Sequence, residues 1–193
     1  MNKTKSFQTR QLVLLAMLTA IVAALQYPAA LIRFGPFSIS LVLMPIAVGA
    51  ALIGAWAGAW LGLTFGLVVL LTGDAAPFLA INPMGAVAVV LLKGAAAGFI
   101  AGGVYNALAG RSKTVAAISA AAICPIVNTG IFILGTYVFF LPTIAEWGAA
   151  AGFADATTFL FFGMIGGNFF VEMAINLVLS PIVIRLIQYG ENR

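Results

Sequence analysis

The sequence predicts an all-α integral membrane protein, a bundle of six transmembrane helices with both termini in the cytoplasm. Composition is the first reason for this fold class: apolar residues make up 63% of the 193 residues and charged residues only 7%. The mean hydropathy is +1.15. A soluble domain carries roughly 25% charged residues, so this chain lacks the charges for a solvated surface. The other two reasons are the long apolar segments and the placement of the basic residues.

Six apolar segments are expected to cross the membrane, because about 20 apolar residues span a hydrocarbon core of roughly 30 Å. The first begins "QLVLLAMLTAIVAAL" and is interpreted as a retained span rather than a signal peptide. The second and third come from one run, 38–71, which is too long for one helix and which we divide at Gly54. The predicted spans of the single membrane domain, 1–193, are 11–32, 38–53, 55–71, 84–108, 114–141 and 158–188.

Basic residues indicate the orientation of these spans. They cluster at the amino terminus, between the fourth and fifth spans, and at the carboxy terminus, which six spans put on one side of the membrane. The positive-inside rule makes that side cytoplasmic. The longer connections then face outward, and because loops carry function more often than the scaffold does, we expect a ligand site that opens outward. The basic residues in these three clusters are Lys3, Lys5, Arg10, Arg111, Lys113, Arg185 and Arg193.

The composition also argues against several function classes. The chain has no histidine and a single cysteine, Cys124, which speaks against imidazole metal sites and a disulfide framework. It contains neither a G-x-x-x-x-G-K-[ST] motif nor a visible nucleophile–base arrangement. The distribution of the basic residues behind the formal charge of +4 indicates the topology, and we do not interpret this charge as a sign of a nucleic-acid partner. We therefore expect no catalytic residue, no metal and no cofactor.

Small residues recur at near four-residue spacing in several spans. Such rows favour close packing between helices. The first span has a row of its own, Ala16, Ala20 and Ala24, which would provide a surface for a separate membrane protein if this span is peripheral. The glycines in the other rows are Gly49, Gly54, Gly58, Gly62, Gly66, Gly94, Gly98 and Gly102.

Two ionisable residues, Lys93 and Glu172, lie inside predicted spans. Such residues are costly in a membrane and usually face the bundle interior or a cavity. At a rise of 1.5 Å per residue, Lys93 lies about 13 Å below the outer end of its span, Asn168 about 15 Å, and Asn128 and Glu172 about 20 Å. These four side chains are therefore predicted to form one polar layer between the fourth, fifth and sixth spans.

Two interpretations of this polar layer remain open. In one, Lys93 and Glu172 form a buried ion pair and the asparagines complete its hydrogen bonds. In the other, the layer is the floor of a pocket that contacts a polar ligand. Buried pairs are weak evidence for stability, whereas intramembrane charges are functional hypotheses by default. The outer loops offer further ligand contacts, although Asn82 before Pro83 also fits a helix cap; these candidates are Arg33, Phe78, Asn82 and Tyr137.

Three segments, in this order, carry a resemblance that covers nearly the whole chain: "LVLLAMLTAIVAAL", "GPFSISLVLMPIAVGAALIGAWAGAWLGLTFGLV" and "FLAINPMGAVAVVLLKGAAAGFIAGGVY". The chain resembles the substrate-binding (S) component of energy-coupling factor (ECF) vitamin transporters. The "NPMG" segment is similar to the riboflavin, pantothenate and hydroxymethylpyrimidine subgroup. The resemblance implies a high-affinity subunit of a bacterial cell membrane. It would capture a water-soluble vitamin from outside, in a pocket built from helices four to six and the outer loops.

The resemblance also implies partners. These are an EcfT-like transmembrane coupling subunit and two cytoplasmic ATPase subunits, which would hydrolyse ATP, so this chain is not expected to be an enzyme. An alanine motif on helix one of such proteins meets the coupling subunit; Ala16 and Ala20 match it, and Ala24 extends the row. The implied mechanism is toppling of the loaded subunit in the bilayer.

The substrate is left between two classes. Riboflavin would be expected to use stacking aromatics, and those near the predicted pocket are Phe34, Phe78, Tyr137 and Phe169. A lysine and an arginine in the outer half favour an anionic or strongly polar ligand such as pantothenate, unless Glu172 neutralises Lys93. The alternative function is a stand-alone secondary transporter coupled to protons through Glu172, against which the lack of a clear inverted repeat counts.

Overall fold

The computed structural model describes residues 3–29, 33–34, 37–38 and 41–191, and this part of the chain is almost entirely helical. After α1 (Lys3–Ala29), the short strands β1 (Arg33–Phe34) and β2 (Phe37–Ser38) pair antiparallel. The elements that follow are α2 (Leu43–Leu52), α3 (Ala55–Thr72), α4 (Ala76–Ile81), α5 (Pro83–Ala109), α6 (Lys113–Phe139), α7 (Leu141–Ala150), α8 (Ala156–Thr158), a π-helical segment (Phe159–Ile165) and α9 (Gly166–Glu191).

Five helical stretches in the described residues are long and apolar enough to cross a membrane, which confirms an all-helical membrane fold. They are Gln8–Pro28, Ala55–Thr72, Pro83–Ala109, Lys113–Phe139 and Ala156–Leu179. Six spans were expected, and the second of them corresponds to α2, an apolar helix of only ten residues. α2 and α3 are separated at Gly54, whose φ of 129° is a conformation that glycine adopts at little steric cost.

Two connections that the sequence suggested would be loops contain helices. α4 lies between α3 and α5, and α7 with α8 lies between α6 and the π-helical segment. The turn that leads into α8 is held by Asp155, whose carboxylate accepts hydrogen bonds from the Thr158 backbone N–H at 2.8 Å and from the Thr158 hydroxyl at 2.8 Å. These hydrogen bonds, the backbone one first, hold the pKa of the Asp155 carboxyl below its usual value.

α3 and α5 pack with their backbones in close contact. A methyl group on Gly62 would overlap the carbonyl oxygen of Gly94, and a methyl group on Gly58 would overlap that of Gly98. The predicted packing of small residues is therefore confirmed for this helix pair. The contact holds two walls of the site described below at a fixed separation.

α1 is peripheral by comparison. Only 17% of the residues in its most apolar window are buried, against 44% in α3. Ala16, Ala20 and Ala24 are all exposed, so the alanine row lies on the outside of the bundle. This row, which the sequence analysis suggests as a contact surface for a separate membrane protein, is therefore not covered by the other described parts of the chain.

In the described part of the chain, the apolar interior consists of two clusters. The larger one joins α1, α2, α3, α5 and α6, and includes Leu61 and Phe65. The smaller one lies among α4, α5, α7 and the π-helical segment, and includes Phe78 and Met164. Residues from both clusters line one cavity, so the cavity lies where the two apolar clusters meet.

Candidate functional site

The cavity has an empty volume of about 690 Å³, a figure that includes space open to solvent. Its walls are formed by side chains from seven elements and from the connection between α3 and α4. The seven elements are α1, α3, α4, α5, α6, the π-helical segment and α9. The polar lining residues are Gln26, Asp74, Lys93, Asn128, Thr129, Asn168 and Glu172. The apolar lining residues are Phe65, Val69, Ala75, Phe78, Val90, Phe132, Met164, Ile165 and Phe169.

All four members of the predicted polar layer line this cavity. Asn128 is 5% exposed and Glu172 is 3% exposed. The Asn168 Nδ2 donates a hydrogen bond to Glu172 Oε1 at 3.3 Å, because residues four apart lie on the same face of a helix. The fourth member, Lys93, reaches the same space from α5. The four side chains thus lie together as the depth estimate predicts, and their contact with a ligand stays a prediction.

The Lys93 ammonium lies over aromatic rings. Its Nζ is 5.4 Å from the ring centroid of Phe132 and 5.8 Å from that of Phe65, which is the range of cation–π attraction. Asp74 and Glu172 both act on this ammonium electrostatically. The ammonium thus lies over two rings and in the field of two acids, and its pairing with Glu172 stays a prediction.

Gln26 of α1 lines the cavity, although the sequence did not lead us to expect it there. It is 1% exposed, and its Nε2 donates a hydrogen bond to Asp74 Oδ2 at 3.1 Å. Its Oε1 has no hydrogen-bond partner among the residues described. The available signal was a glutamine near the outer end of an apolar span, in "ALQYP", but this span was interpreted only through its alanine row.

Phe78 is a predicted site residue that does line the cavity. It is 6% exposed. Its ring makes edge-on contacts with the rings of Phe132, Phe140 and Trp147, with centroids 5.7, 5.0 and 5.8 Å away. Such aromatic contacts fix the ring plane, so Phe78 presents a rigid apolar surface to the cavity.

Asn82 and Tyr137 are not among the residues that line the cavity. The Asn82 Oδ1 accepts a hydrogen bond from the Gly85 backbone N–H at 2.9 Å, so Asn82 caps α5, as its position before a proline also suggested. The Tyr137 hydroxyl is hydrogen-bonded to Thr157 Oγ1 of α8 at 2.9 Å. The side chains of Arg33 and Phe34 lie outside the described residues.

The chemistry offered by the cavity is recognition of a small molecule. Carboxylate and amide oxygens accept hydrogen bonds, one ammonium donates, and phenyl rings offer flat apolar surface. Within the described ranges, no group of three or more His, Cys, Asp or Glu side chains is arranged to hold a metal ion. A few convergent polar groups in an otherwise apolar cavity are typical of a ligand site.

Comparison with known proteins places the chain in a family. A search of curated proteins gives no match. The family model described as "ECF transporter, substrate-specific component" matches residues 10–184, a range that includes every residue that lines the cavity. This match confirms the resemblance drawn from the sequence at the level of the family. The chain belongs to the family of ECF transporter substrate-specific components.

Proposed function

We propose that this protein is the substrate-capture subunit of an ECF importer and binds a small polar compound, of the vitamin class, in the cavity between its two apolar clusters. The observation that supports this function is the polar floor of that cavity, in which Lys93, Asn128, Asn168 and Glu172 converge. Ionisable groups at membrane depth are costly, and where they occur they usually mark a functional site. The chain itself is proposed not to be an enzyme.

The family and the five long apolar helices make this a multi-pass membrane protein. We propose that it lies in the bacterial plasma membrane, that α2 completes a sixth crossing, and that both termini are cytoplasmic. Because Cys124 is the chain's single cysteine and is buried, introduced cysteines report topology directly. An impermeant maleimide should label Ala151→Cys on intact cells and Arg111→Cys only after permeabilisation; both native residues are exposed. The reverse pattern would contradict the orientation.

Substrate-specific components of this family generally work with a transmembrane coupling subunit and ATPase subunits. We propose that the exposed row Ala16, Ala20 and Ala24 contacts the coupling subunit, and that the loaded protein topples in the bilayer to release its ligand inside. Ala20→Trp should abolish co-purification with the coupling subunit and leave ligand binding intact. Val178→Trp, at an exposed position of α9, is the matched control. Equal co-purification of both variants would refute this contact.

A transport assay distinguishes this function from the stand-alone proton-coupled transporter. Proteoliposomes that contain this chain alone should bind radiolabelled riboflavin or pantothenate without accumulating it. Addition of the coupling and ATPase subunits with ATP should start accumulation. Uptake by the chain alone, driven by a proton gradient and lost in Glu172→Gln, would establish the alternative instead.

A further inference from the structure

The inward face of α1 carries the three side chains of this helix that are buried among those described. They are Leu18, Val22 and Gln26, which are 7%, 0% and 1% exposed. Residues four apart lie on one face of a helix. Leu18 and Val22 pack into the larger apolar cluster, whereas Gln26 lines the cavity. One of the three most deeply buried side chains of α1 is therefore also part of the cavity wall.

Gln26 is joined to another part of that wall by a hydrogen bond. Its Nε2 donates to Asp74 Oδ2 at 3.1 Å. Asp74 lies in the connection between α3 and α4, is half-buried and also lines the cavity. Hydrogen bonds to a carboxylate are stronger than those between neutral groups. A ligand that contacts Asp74 therefore acts on a bond that holds the carboxy-terminal end of α1.

The opposite face of α1 carries the alanine row. Ala24 lies two residues before Gln26, which corresponds to about 200° around the helix, and it is exposed whereas Gln26 is buried. Both residues belong to one continuous helix, Lys3–Ala29. A shift or rotation of α1 at Gln26 therefore also moves the surface that we propose for the coupling subunit.

A second hydrogen bond between α1 and α3 offers a comparison. The indole Nε1 of Trp60 donates to Thr19 Oγ1 at 3.2 Å, next to Ala20 in the sequence. Neither Trp60 nor Thr19 is among the residues that line the cavity. This bond joins α1 to the bundle outside the ligand site, so it differs from the Gln26–Asp74 bond in the feature that matters.

We propose that the Gln26–Asp74 hydrogen bond couples occupancy of the cavity to the affinity of α1 for the coupling subunit. Gln26 is a positioning residue in this role, because it transmits a change at Asp74 to the alanine row. The inference rests on the proposed function, since it assigns a regulation to the same site and the same partner. Coupling between two binding sites is reciprocal, so the coupling subunit changes the affinity for ligand by the same factor.

The affinity for the coupling subunit, measured with and without ligand, tests this coupling. The full chain and the coupling subunit are titrated in one detergent, first alone and then with saturating riboflavin, pantothenate or an amino-hydroxymethyl pyrimidine, whichever binds. The two Kd values should differ by at least about fivefold. Equal Kd values would overturn the inference and leave the capture function standing. Binding of none of the three probes would count against the capture function and the inference together.

Two substitutions assign the coupling to this hydrogen bond. Gln26→Met removes the donor at similar side-chain length, so ligand should no longer change the Kd for the coupling subunit. Thr19→Val removes the hydrogen bond outside the cavity, so it should retain the full effect of ligand. Each variant is compared with itself at saturating ligand, so a uniform loss of affinity cancels. An effect retained in Gln26→Met, or lost equally in Thr19→Val, would overturn the proposal.

Substitutions of Asp74 keep the test decisive if Gln26→Met folds poorly. Asp74→Asn retains a side-chain oxygen that can accept from Gln26 Nε2, so the effect of ligand should persist. Asp74→Leu offers no acceptor and should lose the effect. A purely structural role would lower the Tm of a variant without changing its response to ligand. Equal responses in the two Asp74 variants, whether retained or lost, would overturn the inference.

Discussion

Substituting alanine for Gly62 is expected to force α3 and α5 apart. The added methyl group would overlap the Gly94 carbonyl oxygen, which is part of the α5 backbone and cannot move by a change of rotamer. Phe65 lies about one turn further along α3, and Lys93 is adjacent to Gly94 on α5. The substitution should therefore strain the helix pair and displace the ammonium from the Phe65 ring.

The magnitude follows from a graded series of glycines. A methyl on Gly66 would lie 2.9 Å from the Val90 carbonyl oxygen, and one on Gly103 would meet no atom within 4 Å. Overpacking costs about 1–3 kcal/mol, and replacing an unconstrained helical glycine by alanine gains about 0.5–1 kcal/mol. We expect Gly62→Ala to cost about 3 kcal/mol, Gly66→Ala about 1 kcal/mol, and Gly103→Ala to be slightly stabilising.

Thermal unfolding of the purified variants in one detergent measures this series. A chain of this size loses about 2–4 °C of Tm per kcal/mol, so Gly62→Ala should unfold about 6–12 °C below the unmodified protein. Its affinity for ligand should fall as well, because Phe65 and Lys93 both line the cavity. Gly103→Ala is the matched control, since it lies on α5 and changes the same atoms. A Tm for Gly62→Ala that matches that of Gly103→Ala would refute the backbone contact between α3 and α5.

Three further predictions concern single side chains. Asn82→Ala should cost about 1 kcal/mol of stability by removing the α5 cap and leave the Kd for ligand unchanged; a weaker Kd at unchanged Tm would contradict the cap assignment. Lys93→Met should cost about 2 kcal/mol, the value of a desolvated cation over a ring, and Lys93→Arg should recover part of it; equal Tm values for the two variants would contradict the cation–π contact. Asp155 has a lowered pKa in the folded protein, so its stabilising effect is complete above the unfolded pKa of about 3.9 and is lost as pH falls through the lower folded pKa. Asp155→Asn should therefore remove part of the acid-induced fall in Tm, and identical Tm profiles below about pH 4 would contradict this.

The elements that sequence predicts best here are those fixed by geometry that every helix shares. Glycine spacing predicted close packing between helices, because only small residues let backbones approach closely, and the structure shows that the pair is α3 and α5. The segment 38–53 was harder, because it is uniformly apolar. Hydropathy does not distinguish a strand residue from a residue in a helical turn. The predicted span 38–53 therefore joined Ser38, which pairs in β2, to α2, which begins at Leu43.

The site residues likewise fall into those that the sequence predicts and those that it does not. A constant rise per residue gives depth, and depth alone brought Lys93 level with Asn128 and Asn168. Depth gives no rotation around the helix axis and no order of neighbouring helices, so Gln26 on α1 was missed. Phe65 was missed for another reason: a phenylalanine that faces lipid and one that faces a cavity have the same hydropathy.

The π-helical segment Phe159–Ile165 makes chain length part of the site. Each π turn holds more residues than an α turn, and one residue corresponds to about 100° of rotation around an α-helix. Deleting a single residue from this segment would therefore rotate Asn168 and Glu172 away from Lys93, although neither residue is itself substituted or removed. A library of substitutions alone would never sample this failure. Single-codon deletions placed before and after Gly166 would show at which positions in the chain a one-residue change of helical register stops affecting ligand binding.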